Sequence, residues 1–197
     1  MRIIAGTFRS RPLQAPPGLA TRPTSDRLRE TLFNVLAPRI GGAVFLDLYA
    51  GSGAVGIEAI SRGAAHVTFV ERAPAAQKIL RANLAGLAIN AGFKIQNSNV
   101  AQFLRKSSGA LFDLVFLDPP YDAGEEYTTA LNLLGAASQQ ALAPDAIVIA
   151  EHRRKQTLNP SYGNLHRYRL LEQGDAALSF YQAAQPPAPA PETTSEN

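Results

Sequence analysis

Cysteine is absent from the 197 residues, which excludes a disulfide framework, Cys-ligated zinc, iron–sulfur clusters and thiol catalysis. That absence also suits a reducing compartment. Histidine is scarce: His66, His152 and His166 are the three present, too scattered in sequence to form a metal motif, so no metal is expected. Charged residues make up only 18% of the chain, yet apolar blocks alternate with turn signals, which argues against bulk disorder. No stretch reaches the ~18 apolar residues of a membrane span. The opening MRIIAGTFRSRPLQAPPG has no signal-peptide core, because Arg9 and Arg11 interrupt it. A soluble cytoplasmic protein without membrane partners is expected. No internal repeat is visible.

What is present supports one domain with a large core, since 46% of the residues are hydrophobic. The net charge of +3 is modest but unevenly spread: residues 1–40 hold seven arginines against Asp26 and Glu30. Arg153, Arg154 and Lys155 form a second basic cluster, followed by Arg167 and Arg169. Such concentration suits a polyanionic partner, although solvated surface explains it as well. Residues 1–5 and 11–15 read as a β-hairpin around residues 6–10. A helix should start near Arg22-Pro23-Thr24-Ser25, capped by Thr24 or Ser25, and end at Pro38. From Ala43 strands (44–48, 66–70, 93–97, 113–117, 146–151) alternate with helices (near 53–62, 74–86, 99–106, 125–141), as in a parallel sheet covered on both faces. Runs 164–172 and 175–182 flank Gln173-Gly174 and predict an antiparallel hairpin that completes the sheet. The expected architecture is therefore α/β, with a hairpin and helix at 1–40, the main domain at 41–182, and a disordered Pro/Ala-rich tail at 183–197.

Asp47-Leu48-Tyr49-Ala50-Gly51-Ser52-Gly53-Ala54-Val55-Gly56 follows the first of these strands and opens a helix. Its glycines match G-x-G-x-x-G, and Glu71 ends the next strand about twenty residues on, which alone allows a dinucleotide site. Asp47 argues otherwise. A carboxylate there repels a pyrophosphate at the helix N-terminus, whereas it attracts the ammonium and sulfonium of S-adenosylmethionine. Glu71 can accept both ribose hydroxyls. Asn99, with the Val100 amide, can meet an adenine edge, or simply cap helix 99–106.

Asp118-Pro119-Pro120-Tyr121 follows the fourth strand at the same sheet edge, where open α/β sheets bind ligands. The prolines cannot donate, so their carbonyls are free acceptors. An exocyclic base amine is a poor nucleophile because its lone pair is delocalised. Acceptance of its two N–H bonds by Asp118 and the Pro119 carbonyl would orient that lone pair and stabilise the charge developing on nitrogen. Tyr121 can stack on a flipped or unpaired base.

Together with Arg2-Ile3-Ile4-Ala5-Gly6, Arg22-Pro23-Thr24-Ser25-Asp26-Arg27-Leu28-Arg29-Glu30-Thr31-Leu32-Phe33-Asn34 and Asn97-Ser98-Asn99, these motifs resemble the RsmD family over roughly residues 1–182. These are bacterial 16S ribosomal RNA (guanine-N2)-methyltransferases of the class I, S-adenosylmethionine-dependent type. The resemblance implies a Rossmann-like, mostly parallel seven-stranded sheet with the C-terminal hairpin. It implies a substrate guanine in the assembled or assembling small subunit, and a protein acting as a monomer. Asp47, Tyr49, Gly51, Ser52, Gly53, Glu71, Asn99 and Val100 would hold the cofactor, and Asp118, Pro119, Pro120 and Tyr121 the guanine. Arg9, Arg11, Arg22, Arg27, Arg153 and Arg154 are the candidate RNA contacts. DNA adenine and protein-glutamine methyltransferases could use a similar tetrapeptide, though no separate DNA-recognition domain is evident. A non-catalytic RNA-binding assembly factor is the rival from another class.

Overall fold

A computed structural model describes residues 1–15, 25–107, 111–120, 124–136 and 141–183. The expected tail beyond Ala183, and Arg22 and Tyr121 with it, lie outside the described residues. Helix α1 (Asp26–Ile40) precedes strand β1 (Val44–Leu48). Then α2 (Ala54–Ser61), β2 (His66–Val70), α3 (Pro74–Gly86), β3 (Phe93–Gln96), α4 (Val100–Lys106), β4 (Phe112–Leu117) and α5 (Gly124–Gly135) alternate. Three of the last four strands, β5 (Leu142–Arg153), β7 (Leu165–Gln173) and β8 (Ala176–Ala183), are long, while β6 (Ser161–Tyr162) is short.

The strands form one sheet in the order β3-β2-β1-β4-β5-β8-β7-β6. The first five run parallel, and β8, β7 and β6 add to them antiparallel. The parallel strands are near-continuous apolar runs because helices cover both faces. Alternation sorts their side chains. Phe45, Phe69, Leu114, Phe116, Ile147 and Ile149 pack with Leu32, Phe33 and Leu36 of α1, Ile57 of α2 and Leu80 of α3. Leu46, Leu48, Val115, Leu117, Val148 and Ala150 pack on the other face with Leu104 of α4 and Tyr127 and Leu131 of α5.

Four details differ from the sequence reading. The sheet has eight strands rather than seven, because β6 adds two residues against β7. Helix α1 runs past Pro38 to Ile40; a proline near the last turn forfeits one backbone bond, and Ile40 is drawn into the core. Helix α5 stops at Gly135, where a Cβ would overlap the Tyr162 carbonyl. The N-terminal hairpin closes through a single bridge, Arg2 to Pro12. Pro12 has no N–H for a longer ladder, and residues 6–11 fold into successive tight turns, with Arg9 N bonded to Gly6 O and Arg11 N to Phe8 O at 3.1 Å each.

This irregular segment is nevertheless firmly held. Glu58, fully buried on α2, accepts the Ile4 and Ala5 amides at 2.8 and 3.0 Å. It also pairs with Arg62 at 2.7 Å and with buried Arg29 of α1 at 3.6 Å. Arg29 further donates to Asp26 at 2.9 Å and to the Arg2 carbonyl. The Asp26–Arg29 spacing thus reflects an interior network rather than an exposed helix pair. At the start of α1, Ser25 caps by accepting from Leu28 N at 3.1 Å.

Candidate active site

The glycine loop turns from β1 into α2 through left-handed backbone at Tyr49, Gly51 and Gly53, with φ of 63°, 55° and 80°. A Cβ on Gly53 would overlap Leu80 of α3, and one on Gly56 would overlap Phe69 of β2. The last two glycines of the motif therefore serve close packing as well as the turn. Helix α2 has no side-chain cap at Gly53. Instead Asp47 reaches in from β1 and accepts the Gly56 amide at 2.9 Å. One donor that a bound phosphate could use is thus already taken, and the Asp47 carboxyl already occupies that helix end.

Glu71, just past β2, accepts the Gly51 amide at 2.8 Å and the Ala73 amide at 2.7 Å. It braces the loop while keeping further lone pairs for a ligand. Asn99 caps α4 by accepting the Ala101 and Gln102 amides at 2.8 and 3.4 Å, which leaves its side-chain N–H bonds exposed. The Ser52 carbonyl accepts from Asn83 of α3 at 2.9 Å. Beside the loop opens a cleft of about 190 Å³ lined by Tyr49, Asn99, Val100, Glu125, Glu126 and Thr129. Burial and a hydrogen bond to Glu126 raise the Tyr49 hydroxyl far above its ordinary range.

Asp118-Pro119-Pro120 leaves β4 at the same edge, with Pro119 buried and Pro120 exposed. Burial, and after it the Glu151 and Asp47 carboxylates, push the Asp118 carboxyl well above the usual range. Burial also lifts Asp47 to about 7, with Glu71 adding to the shift and the Gly56 hydrogen bond opposing it. Asp47, Glu71, Asn99, Val100 and Asp118 therefore converge on one edge of the sheet. Glu151, buried on β5, belongs to the same group and was missed from sequence. So was Glu126. The signal for Glu151 was available: β1, β2, β4 and β5 each carry a carboxylate within two residues of the carboxyl end.

The arginines divide between two edges. Arg27 lies one turn before Thr31, which bonds Gln173 at the β7–β8 turn at 2.9 Å. The Arg154 amide bonds Asp175 in that turn at 2.8 Å, and Arg153 is exposed beside it. These three border the carboxyl edge. Arg9 and Arg11 are exposed but sit at the opposite ends of the helices. Their loop hangs on Ser61 at the end of α2, and Arg11 reaches the carbonyl of Gly86, the last residue of α3, at 3.4 Å. Among the described residues no cluster of His, Cys, Asp or Glu could hold a metal, and no helix is long and apolar enough to cross a membrane.

A family model described as Conserved hypothetical protein 95 matches residues 1–182. Ribosomal RNA small subunit methyltransferase D of Escherichia coli K12 is 42% identical over 185 residues, covering 92% of this chain and 89% of its own length. The chain belongs to the RsmD family. Its counterpart of the same description in Haemophilus influenzae is 38% identical over 94% of this chain and 93% of its own. The solved structure of yhhF from Escherichia coli superposes with a TM-score of 0.82 at 38% identity, over 93% of this chain and 97% of that one. SMU.776, a methyltransferase structure complexed with SAH, is only 13% identical but shares the fold at a TM-score of 0.62, over 79% of this chain and 49% of that one. The architecture is that of the class I methyltransferases, α/β with a mostly parallel sheet and a C-terminal antiparallel hairpin. Within the RsmD family this chain is a methyltransferase.

Proposed function

We propose that this protein transfers a methyl group to the exocyclic N2 amine of a guanine in 16S ribosomal RNA of the small subunit. The observation that carries the reading is a set of strand-end carboxylates beside the glycine loop. Asp47 is buried with one backbone donor and negative neighbours, so it suits a cationic ligand and disfavours a phosphate. S-adenosylmethionine, the methyl donor, brings an ammonium and a methyl group made electrophilic by a sulfonium. Asp47 and the glycine loop hold its methionine end, Glu71 its ribose, and Asn99 with Val100 its adenine.

Asp118 and the Pro119 carbonyl accept the two N–H bonds of the guanine amine and aim its lone pair at the methyl group. As the new N–C bond forms and the S–C bond breaks, positive charge develops on nitrogen beside the Asp118 carboxylate. That carboxylate stabilises the charge and takes the released proton. Tyr121 is assigned to stacking on the base. Arg27, Arg153 and Arg154 border the pocket and grip the RNA backbone. Arg9 and Arg11 meet RNA that wraps along the flanks of α2 and α3, and Arg22 joins the two stretches in sequence. The protein is assigned to the cytoplasm, where its substrate particle is assembled.

The test maps methylated nucleotides in ribosomal RNA from cells with and without this protein. One N2-methylguanine lost on deletion, and restored in isolated small subunits by protein and S-adenosylmethionine, is the expected result. An unchanged map overturns the reading.

A further inference from the structure

The proposed chemistry uses Asp118 but leaves unexplained a second carboxyl buried next to it. In the parallel ladder Leu117 of β4 pairs with Ala150 of β5. One step further, the register sets Asp118 beside Glu151. Alternation puts both on the sheet face of Phe116 and Ile149, where Asp47 also points, two residues back on β1 in the Asp47–Phe116 register. Strands β1, β4 and β5 are neighbours, so three carboxyls share one face at one edge.

Glu151 is only 2% exposed, and its position is tightly set. Its carbonyl oxygen accepts the buried Tyr127 hydroxyl of α5 at 2.8 Å, and across the antiparallel side it pairs with Leu178 of β8. Burying an acidic residue in the middle of such a sheet is costly unless its charge is paired, hydrogen-bonded or shared with a neighbouring group.

We propose that Glu151 is a positioning residue acting through Asp118, the two carboxyls forming one proton-holding pair at the mouth of the pocket. The inference rests on the reading of Asp118 as the amine acceptor. With Glu151 alongside, Asp118 has a higher affinity for a proton, so it is better able to take the one that leaves the amine once the N–C bond has formed. The pair holds that proton and passes it to solvent through the exposed side of the pocket. Among the described groups on this face are Asp47 from β1, with Glu71 behind it, and Leu178 from β8, while the Tyr127 hydroxyl of α5 holds the Glu151 backbone from the other face. Tyr49 turns away towards Glu126. After burial, Glu151 is the first of the carboxylates that act on Asp118, and Asp47 reinforces its effect.

The experiment follows the side-chain carboxyl carbons by ¹³C NMR across pH in the ligand-free protein, for wild type, Glu151→Gln and Asp118→Asn. Single-turnover methyl transfer to small subunits is measured over the same pH range. In wild type the Asp118 and Glu151 carbons are expected to report each other's titration as two-step curves. In Glu151→Gln the Asp118 midpoint falls by about one pH unit or more, the acidic limb of the rate profile moves down with it, and the plateau rate drops. In Asp118→Asn the acidic limb disappears. An unmoved Asp118 midpoint in Glu151→Gln overturns the inference, as do independent one-step curves in wild type, which need no variant to fold. An acidic limb that survives in Asp118→Asn overturns instead the reading of Asp118, so the two failures are distinguishable.

Discussion

The molecule buries charge in two places and treats it in opposite ways. On the α1–α2 flank, Glu58 meets Arg29, Arg62 and two backbone amides, and Arg29 meets Asp26. At the carboxyl edge, burial first and neighbouring carboxylates after it raise the proton affinities of Asp47 and Asp118. The first cluster is matched in charge within the chain, although among the described residues Arg29 Nε and Nη1 make no hydrogen bond. The second leaves work for a ligand. On the proposed reading, the buried charges of the flank serve structure and are paired internally, whereas those of the carboxyl edge are left to be matched by what binds.

The largest way to break this contrast is Glu58→Ala. It strands Arg29 in the interior and frees the Ile4 and Ala5 amides, so unfolding stability in urea should drop by about 3–5 kcal/mol. A loss below 1 kcal/mol would show that the flank is not the anchored cluster described. Next comes Asp118→Ala. Single-turnover methyl transfer should slow at least a hundredfold, roughly 3 kcal/mol of barrier, while thermal stability stays level or rises because a strained carboxyl is gone. A rate within threefold of wild type removes Asp118 from the chemistry.

Asp47 sharpens the contrast through pH. Its carboxyl is raised from 3.8 to about 7, so the folded state holds a proton that the unfolded chain releases at lower pH. Its contribution therefore favours folding below about pH 4 and is lost as pH climbs towards 7. Asp47→Asn should gain stability over wild type as pH rises through that window, on the order of 4 kcal/mol at neutrality. A pH-independent difference in melting temperature would contradict this. The smallest effect belongs to the exposed Arg154–Glu172 pair at 3.3 Å. Glu172→Ala should change stability by less than about 0.5 kcal/mol; a larger loss would mean that surface charge matters here as much as buried charge.

Much of this was legible in the chain. Helix α3 appears at its expected bounds, and β1 and β2 likewise, because apolar runs and the proline at α3's start are local signals. The placement of Asp47 and Asp118 at one sheet edge was legible because each stands at the end of a local apolar run. Glu151 was not read, although the strand that ends in it was. Its meaning depends on register with Leu117 across a crossover, and no local pattern encodes register. Arg29 shows the same limit: its i,i+3 spacing to Asp26 is local, but Glu58, which it meets in the interior, lies in another helix. The two-edge placement of the arginines is likewise tertiary, set by where residues 6–10 dock on Ser61.

That docking has a consequence for how the molecule breathes. The amides of Ile4, Ala5 and Phe8 belong to no strand or helix, yet their acceptors are Glu58 and Ser61, more than fifty residues away in sequence. Releasing them requires α2 to let go of its partners, and α2 packs against both α1 and the sheet. Solvent deuterium thus reaches these three amides on the timescale of the cooperative core rather than of a fraying end, and the irregular amino-terminal segment opens and closes with the sheet it covers.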